Sequence, residues 1–508
     1  MKKIKDKSKM YMILGISFLV LAVLGSAYAY YKYVIATINV DTITRGLDYY
    51  INYTKGTDIT SSTLSPGTDY TSGNNLSVTL YKKDNTYTIY GHIYLDISNI
   101  SANLSSSNAL KYAVLEGSAK ISEGTLGGTS SGESYLLAVN IPLKSTKYTV
   151  YLWFDETSSK ASTAENTSIS ATVRCEATMK EIDDEPYTYN AAAYIKSLYN
   201  SSTKTTVINN SINYEYDTTN SLMKDVGGNI RYYGASPNNY IYFNCSDYSN
   251  QSSSTCETWR IIGTFGNKTK LIRNSSIGEY SWDNKDTSTG AKSAYGKNDW
   301  TDARLMKLLN QGYESETTGG SLYYNSGSGN CYSGQNNATT ACDFTSTGIK
   351  NDTTRNMISD NTYSLLGWNN NSIYSNQIYE YERSTGSVYT GTPTSWTGKV
   401  GLAYVSDYGY AADLSKCTKQ LGSYNDSTCA SNNWMKAIIT NNSTNASGWL
   451  LTHYYGDSCD TWRTYWAGNA GYSGAYYAFE VTPVLYLKYR ISINSGTGTS
   501  SDPYQIST

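Results

Sequence analysis

Histidines, cysteines and carboxylates are the residues of this chain best suited to catalysis or metal binding. The 508 residues include two histidines, His92 and His453, and neither lies in a Ser-His-Asp pattern. The H-E-x-x-H motif and the phosphate-binding loop are absent from the sequence. A pair of carboxylates for glycoside hydrolysis stays open, because residues far apart in sequence can meet in a fold. The sequence therefore favours a protein that is not an enzyme and uses no cofactor, with glycan hydrolysis as the minor alternative.

Six of the eight cysteines form three local pairs in segments rich in Asn, Ser, Thr and Gly. We predict that each pair is a disulfide that staples a loop, worth about 2–3 kcal/mol, as in exported proteins. The spacing of zinc ligands is absent, so no metal site is predicted. Cys175 and Cys459 remain, and their pairing stays open. The predicted disulfides are Cys245–Cys256, Cys331–Cys342 and Cys417–Cys429.

Residues 452–480, THYYGDSCDTWRTYWAGNAGYSGAYYAFE, have an unusual composition. The segment holds six Tyr, four Gly, four Ala and two Trp, but no Leu, Ile, Val, Met, Lys, Gln or Pro. One interpretation is a set of edge strands and turns that cover a core. The other is a binding face, because Tyr and Trp give large contact areas while Ser, Gly and Asn adapt to a ligand. The candidate ligand-binding residues are His453, Tyr454, Tyr455, Asp457, Asp460, Trp462, Arg463, Tyr465, Trp466, Asn469, Tyr472, Tyr476 and Tyr477.

The same segment fits a diversified site. Most of its residue types can be encoded by codons that end in C, a set that adenine-targeted mutagenesis of Asn codons would generate. Trp462, Trp466 and Glu480 cannot arise in that way and would be constant positions. Cys459 has no partner cysteine nearby in the sequence. This fits a randomised position better than a position kept for a disulfide, although a disulfide to Cys175 or to another chain stays open.

The composition of the chain limits which binding partners and which fold class are expected. The formal charge of -2, from 40 basic and 42 acidic residues, gives no electrostatic case for binding nucleic acid. The 52 Tyr outnumber the 41 Gly, and aromatic and β-branched residues suit pleated sheets. We therefore predict a mainly β protein with some α structure and no nucleic-acid partner.

The N-terminus predicts export. Five Lys within MKKIKDKSKM precede the apolar run YMILGISFLVLAVLGSAYAYY, which is long enough for one membrane-spanning helix. The lysines predict a cytoplasmic N-terminus, with the rest of the chain outside. Ala27-Tyr28-Ala29 is a cleavage signal, so residues 1–31 are either a signal peptide or an uncleaved membrane anchor.

Residues 32–178 alternate apolar and polar side chains in several stretches, which predicts a β-sandwich. Three predicted strands are LSVTLY, IYGHIYLDI and SISATVRC. This alternation places Cys175 on a buried apolar face and His92 on a polar, exposed face.

Together with the N-terminus, YTVYLWFDE and ENTSISATV give residues 1–178 a resemblance to the camelysin/TasA family of exported β-sandwich proteins. The resemblance implies a location at the cell surface or in the biofilm matrix of Gram-positive bacteria. It also implies self-association through the β-sandwich.

Residues 179–203 predict a linker with a short helix at NAAAYIKSLYN. Residues 204–490 follow as the largest domain. TWRIIGTF and KTKLIR predict paired strands, and VTPVLYL predicts a final buried strand. NDWTDARLMKLLN predicts an amphipathic helix capped by Asp299 or Thr301. Residues 491–508 predict a tail rich in Gly, Ser and Thr.

The motifs WRIIG, NDWTDARL, WLLT and VTPVL of the third region resemble a group of gut-bacterial surface domains. Those domains are akin to the C-type-lectin-like fold of formylglycine-generating enzymes and of variable proteins from diversity-generating retroelements. This chain departs from the pattern, with His453 in place of a Pro and FEVTP in place of Gly-Val-Arg-Pro. The resemblance implies an α+β lectin-like domain, but the cysteines do not reproduce the copper-binding pair of the enzymes.

Taken together, these patterns predict a bacterial cell-surface adhesion or recognition protein that binds a protein or a glycan through residues 452–480. The alternative is a structural component of a biofilm matrix, in which the β-sandwich polymerises.

Overall fold

A computed structural model describes residues 54–55, 59–64, 66–80, 88–105, 109–142, 146–157, 168–178, 181, 186–289 and 295–507. The chain divides into two compact units, one ending at Tyr189 and the other beginning at Asn190. Within these described ranges, no helix is long and apolar enough to cross a membrane. The predicted signal or anchor, residues 1–31, lies outside them.

The N-terminal unit consists of two β-sheets. One sheet has the strand order β1-β4-β9-β6-β7, with β3 beside β9, and the other has the order β2-β10-β5-β8. A short helix, α1, spans Ala102–Ser105. The strands are β1 Thr54–Lys55, β2 Ile59–Thr63, β3 Pro66–Gly67, β4 Asn74–Leu80, β5 Tyr90–Ile100, β6 Leu110–Glu116, β7 Ala119–Thr125, β8 Glu133–Pro142, β9 Thr146–Asp155 and β10 Ser168–Thr178.

Both sheets contribute to one apolar core, which confirms the predicted β-sandwich. The alternation is clearest in β10, where every second side chain from Ile169 to Ala177 is buried. Cys175 is one of these buried residues, as its position in the sequence predicts. The mainly β character of the chain is confirmed as well.

The prediction of an exposed His92 is wrong, because its side chain is completely buried. Its Nε2 lies 2.8 Å from the hydroxyl of Thr178, and its Nδ1 accepts a hydrogen bond from the backbone of Asn140. The register between β5 and β8 shifts between Gly91 and Ile93. Against β10 the alternation continues, because His92 lies opposite Glu176 and Ile93 lies opposite the buried Cys175, so His92 does lie on the polar face. The extra residue of the irregularity is in β8, and it brings the backbone N–H of Asn140 to the ring of His92.

The C-terminal unit is built on a nine-stranded sheet and a five-stranded sheet. The first has the order β11-β12-β13-β14-β16-β17-β28-β23, with β15 beside β16, and the second has the order β18-β27-β24-β25-β26. The strands are β11 Thr205–Asn209, β12 Ile212–Asp217, β13 Leu222–Lys224, β14 Ile230–Tyr232, β15 Tyr240–Phe243, β16 Glu257–Phe265, β17 Lys268–Arg273, β18 Glu279–Ser281, β19 Ser328–Tyr332, β20 Thr339–Asp343, β21 Asn361–Ser364, β22 Ser395–Gly398, β23 Val400–Gly401, β24 Gly448–Trp449, β25 Asp460–Thr464, β26 Ala470–Gly474, β27 Ala478–Glu480, β28 Val484–Tyr486, β29 Ser492–Ser495 and β30 Gln505–Ser507.

Short helices connect these strands. The α-helices are α2 Ala191–Ser201, α3 Arg304–Leu309, α4 Asp352–Met357, α5 Ser375–Glu380, α6 Val405–Tyr410, α7 Ser427–Ser431 and α8 Trp434–Ile439, and a π-helical turn spans Tyr381–Thr385. The predicted helix at NAAAYIKSLYN is confirmed as α2, which Asn190 caps by accepting the N–H of Ala193. The predicted pairing of TWRIIGTF with KTKLIR is confirmed as β16 and β17. The predicted final strand is β28, which pairs with β17 and β23.

Two local predictions differ from the structure. Helix α3 begins at Arg304 after Ala303, so neither Asp299 nor Thr301 caps it. Asp299 instead accepts hydrogen bonds from the backbone and the hydroxyl of Thr301, in a turn that precedes the helix. The segment 491–508, predicted as a tail, forms the paired strands β29 and β30. Its Ile493, Tyr504 and Ile506 are buried in the core of the unit, which ties the segment to the fold.

All three predicted disulfides are present, which is consistent with an extracellular location. Cys331–Cys342 joins β19 to β20, and Cys417–Cys429 ties the loop after α6 to helix α7. The thiol of Cys459 lies 3.1 Å from Oδ1 of Asp457.

A network of buried ion pairs links the nine-stranded sheet to the helices that cover it. Asp407 of α6 accepts hydrogen bonds from Arg231 of β14 at 2.7 Å and from Lys270 of β17 at 2.5 Å. The side chains of all three are at most 1% exposed. Burial by itself raises the pKa of Asp407, but the two cations hold it well below its ordinary value. Burial lowers the pKa of Lys270 to about 8, against the opposing effect of Asp407.

The network extends in two directions. Arg231 also pairs with Asp225 at 2.5 Å. On the other side, the buried carboxylate of Glu382 accepts hydrogen bonds from Ser406, next to Asp407, and from Thr452 at 2.6 Å. Thr452 is the first residue of the segment 452–480, so this network fixes the start of the candidate site.

We predict that Asp407→Asn destabilises the C-terminal unit strongly. The change leaves Lys270 without its carboxylate partner and Arg231 with Asp225 alone, and removing one partner of a buried pair costs about 3–5 kcal/mol. Asp352→Asn is the control, because its ion pair with Arg355 is exposed and should contribute about 1 kcal/mol or less. Urea unfolding of both variants measures the difference, and equal midpoints would contradict a structural role for the network.

Candidate functional site

The segment 452–480 supplies three of the five strands in the smaller sheet. Strands β25 and β26 form a hairpin, with Trp462 opposite Tyr472, and β27 lies between β18 and β24. The segment thus forms an edge of the sheet and also part of its interior. These strands match the interpretation of the segment as edge strands and turns that cover the core, and its use as a surface for a ligand stays a prediction.

Three of the candidate ligand-binding residues are buried beneath this sheet. Trp462 is completely buried, and its indole N–H donates to the carbonyl of Trp368 at 3.1 Å. Tyr454 is 8% exposed, and its ring stacks on that of Tyr472 with 4.0 Å between the centroids. His453 is 4% exposed, and its Nε2 accepts the backbone N–H of Tyr389 at 2.8 Å. These three side chains are buried and do not offer their surfaces to solvent.

On one side of the sheet, Arg463 lies between two aromatic rings. The carbon of its guanidinium group is 3.6 Å from the centroid of Tyr465 and 4.5 Å from that of Phe479. Hydrogen bonds to the hydroxyls of Ser473 and Ser447 orient the guanidinium. Burial lowers the pKa of Arg463 from its ordinary value. Stacking and hydrogen bonding of this kind hold a guanidinium rigid, which a lysine could not reproduce.

The stack continues from Phe479 toward the surface. The ring of Phe479 is nearly parallel to that of Tyr477, at 14° and 5.5 Å, and Tyr477 stacks on Tyr476 at 4.2 Å. Tyr476 in turn contacts Tyr295 at 5.2 Å. We call this continuous set the aromatic row; it consists of Tyr465, Arg463, Phe479, Tyr477, Tyr476 and Tyr295.

Trp466 and Tyr472 expose rings on the β25–β26 hairpin. Trp466 is 50% exposed on the turn, and Tyr472 is 38% exposed on the edge strand. The turn is closed by hydrogen bonds between Tyr465 and Asn469 and between Gly468 and Tyr465. Gly468 has a φ of +110°, a conformation that side chains disfavour, and its carbonyl accepts the hydroxyl of the buried Tyr408. The fold therefore holds Trp466 on a fixed turn.

Tyr455, Asp457 and Asp460 are further candidate ligand-binding residues of this segment. Tyr455 is half-buried, with its ring edge-to-face with that of Trp368. Asp457 is exposed, and hydrogen bonds from Cys459 lower its pKa. Burial, followed by the charge of Asp457, raises the pKa of Asp460. Among the residues that the structure describes, no three His, Cys, Asp or Glu side chains are grouped so that they could hold a metal ion.

The structure adds residues that the sequence did not suggest. Tyr295 joins the aromatic row from a loop far along the chain, and Trp282 and Trp300 form a cleft with His453. The sequence carried no signal for these contacts, because the residues lie more than 150 positions away from the segment. Phe479, inside the segment, could have been found from its aromatic type.

No family model matches the chain, and no characterised protein shows significant sequence similarity to it. The resemblances to camelysin/TasA proteins and to C-type-lectin-like domains therefore remain predictions from the motifs quoted above.

We predict that His453 makes the fold less stable in acid. Burial lowers the pKa of His453 to about 4, against an ordinary value of 6.5. Between these values the unfolded chain binds a proton that the folded chain does not, so stability falls as the pH falls from 6.5 to 4. The shift corresponds to a loss on the order of 3 kcal/mol at most.

The test compares urea unfolding of the wild type and of His453→Gln at pH 7 and at pH 4. The variant does not titrate here, so the wild type should lose more stability over this interval. Parallel losses in the two proteins would contradict the prediction.

Proposed function

We propose that the protein is a bacterial cell-surface recognition protein, which binds a protein or a glycan through residues 452–480. The observation that carries this proposal is the concentration of exposed aromatic rings. Among the described residues, seven large hydrophobic side chains are exposed, and four of them are aromatic. Three of these four, Trp466, Tyr472 and Tyr477, belong to the segment, and the fourth, Tyr295, contacts it.

Rigid aromatic side chains on a surface are costly to leave in water, and they are the usual anchors of recognition. Here the aromatic row and the closed hairpin turn hold them in place before a ligand arrives. Preorganisation of this kind reduces the entropy lost on binding. The near-neutral composition of the chain supports an uncharged contact surface over one that binds a polyanion.

The geometry of the rings distinguishes the two ligand classes. Within the aromatic row, Tyr477 stacks on Tyr476 and lies nearly parallel to Phe479, so these rings cover part of each other's faces. A glycan that stacks on ring faces would depend on Trp466, whereas a protein ligand would use the whole surface.

We predict that Trp466→Ala and Tyr477→Ala each weaken ligand binding at least tenfold, since aromatic anchors that become buried on binding contribute about 2 kcal/mol or more. Ile208→Ala is the control, because Ile208 is 68% exposed on β11 of the same unit. The exported chain is first screened on glycan and protein arrays, and the affinity for a hit is then measured by calorimetry. Equal loss in all three variants, or in none, would contradict the proposed surface.

The diversification hypothesis makes a separate prediction about the gene. If residues 452–480 are diversified, the codons for Tyr, Ser, Asp and Gly end mainly in C, and a near-identical template repeat lies near a reverse transcriptase gene. Sequencing the locus in several strains should then show variation concentrated here, with Trp462, Trp466 and Glu480 constant. Codons without this bias would eliminate diversification but not binding.

The rival proposal is a structural matrix protein that self-associates through the N-terminal β-sandwich. Edge strand β7 of that sandwich carries Lys120 and Glu123, and charges on an edge oppose pairing with another chain. Fibres seen by electron microscopy, together with no hit on either array, would favour the rival. Turnover of a sugar polymer that carboxylate substitution abolishes would favour a surface hydrolase instead.

A further inference from the structure

A narrow cleft in the C-terminal unit lies at the start of the segment 452–480, and none of its lining residues belongs to the aromatic row. Trp282 and Trp300 form one wall, with 4.8 Å between their ring centroids, and His453 and Thr392 are also part of the lining. The cleft is too narrow in this conformation to hold a water molecule.

The two tryptophans of the cleft differ from the other buried tryptophans of this unit. The indole N–H groups of Trp259, Trp434, Trp449 and Trp462 each donate a hydrogen bond, at 2.9–3.1 Å. Those of Trp282 and Trp300 are buried, and in the structure they have no acceptor. Buried donors without a partner are rare because each costs free energy, so two of them in one cleft require an explanation.

We propose that this cleft is a binding site for a neutral sugar ring, whose hydroxyl oxygens accept the two indole hydrogen bonds. Hydroxyl groups both donate and accept, which matches the indole donors and the hydroxyl of Thr392. The apolar face of a sugar packs against the tryptophan wall. The lining of the cleft includes no Lys or Arg, and Asp299 in that lining already pairs with Lys297 at 2.9 Å, so a carboxylate or phosphate ligand would find no cation to bind there.

The loop 387–394 lines the cleft through Thr392 and Pro393, and it must move to admit the ligand because the cleft is too narrow as it stands. Its ends are fixed by hydrogen bonds between Ser387 and Gly367 and between Thr394 and Leu365. Between these ends, the backbone N–H of Tyr389 donates to Nε2 of His453. Gly391, with a φ of +89°, lies on the exposed part of the loop. Opening the loop would release Nε2 of His453, which becomes a further acceptor for a sugar hydroxyl.

The experiment titrates the exported chain with glucose, galactose, mannose and N-acetylglucosamine, and with glucuronate and inorganic phosphate as charged probes. Calorimetry and tryptophan fluorescence report binding. We expect at least one neutral sugar to bind and neither charged probe to do so. Trp282→Phe and Trp300→Phe keep a ring but remove the donor, and each should weaken sugar binding about tenfold.

Trp434→Phe is the matched control, because its indole donates to the carbonyl of Tyr232 and does not line the cleft. This variant should keep its sugar affinity but melt at a lower temperature, whereas Trp300→Phe loses no internal hydrogen bond.

Trp466→Ala and Tyr477→Ala should leave sugar binding in the cleft unchanged, which separates this site from the proposed recognition surface. The proposal is overturned if no neutral sugar binds, if the charged probes bind instead, or if both cleft variants bind as the wild type does.

Discussion

The buried carboxylate of Asp407 is the constraint on which the C-terminal unit depends. It holds two cations from two strands of the main sheet, Arg231 and Lys270, in the buried interior of the unit. An ion pair at this depth stabilises only when all of its partners are present, since any single loss leaves a bare charge. It therefore determines how helix α6 lies on the sheet more than it contributes net stability.

The same network connects the interior to the candidate site. Glu382, beside it, accepts the hydroxyl of Thr452, and the segment that begins there enters the five-stranded sheet. From that point Trp462 is directed into the core and Trp466 toward solvent. The buried charged network thus fixes the start of the segment 452–480, and the same segment carries the exposed aromatic rings.

The two proposed sites use aromatic side chains in different ways. The first proposal uses the exposed rings of Trp466, Tyr472 and Tyr477, which a closed turn and ring stacking hold in place, as a macromolecular ligand would require. The second proposal uses the buried indole donors of Trp282 and Trp300, which line the cleft and have no acceptor in the structure, as a small hydroxylated ligand would require. Both are consistent with a secreted or surface-attached chain stabilised by disulfides, and neither requires a charged partner.

Local features of this protein followed from its sequence, because the physics behind them acts over a few residues. Alternation predicted β10, two neighbouring strand-like stretches predicted the pairing of β16 with β17, and spacing predicted three disulfides. The segment 452–480 stood out by composition alone.

Tertiary structure decided the burial of its rings, since Trp462 and Trp466 have the same chemistry and are only four residues apart. It also buried His92 at a register shift and brought Tyr295, Trp282 and Trp300 to the site. These outcomes depend on neighbours distant in the chain, which no local pattern encodes.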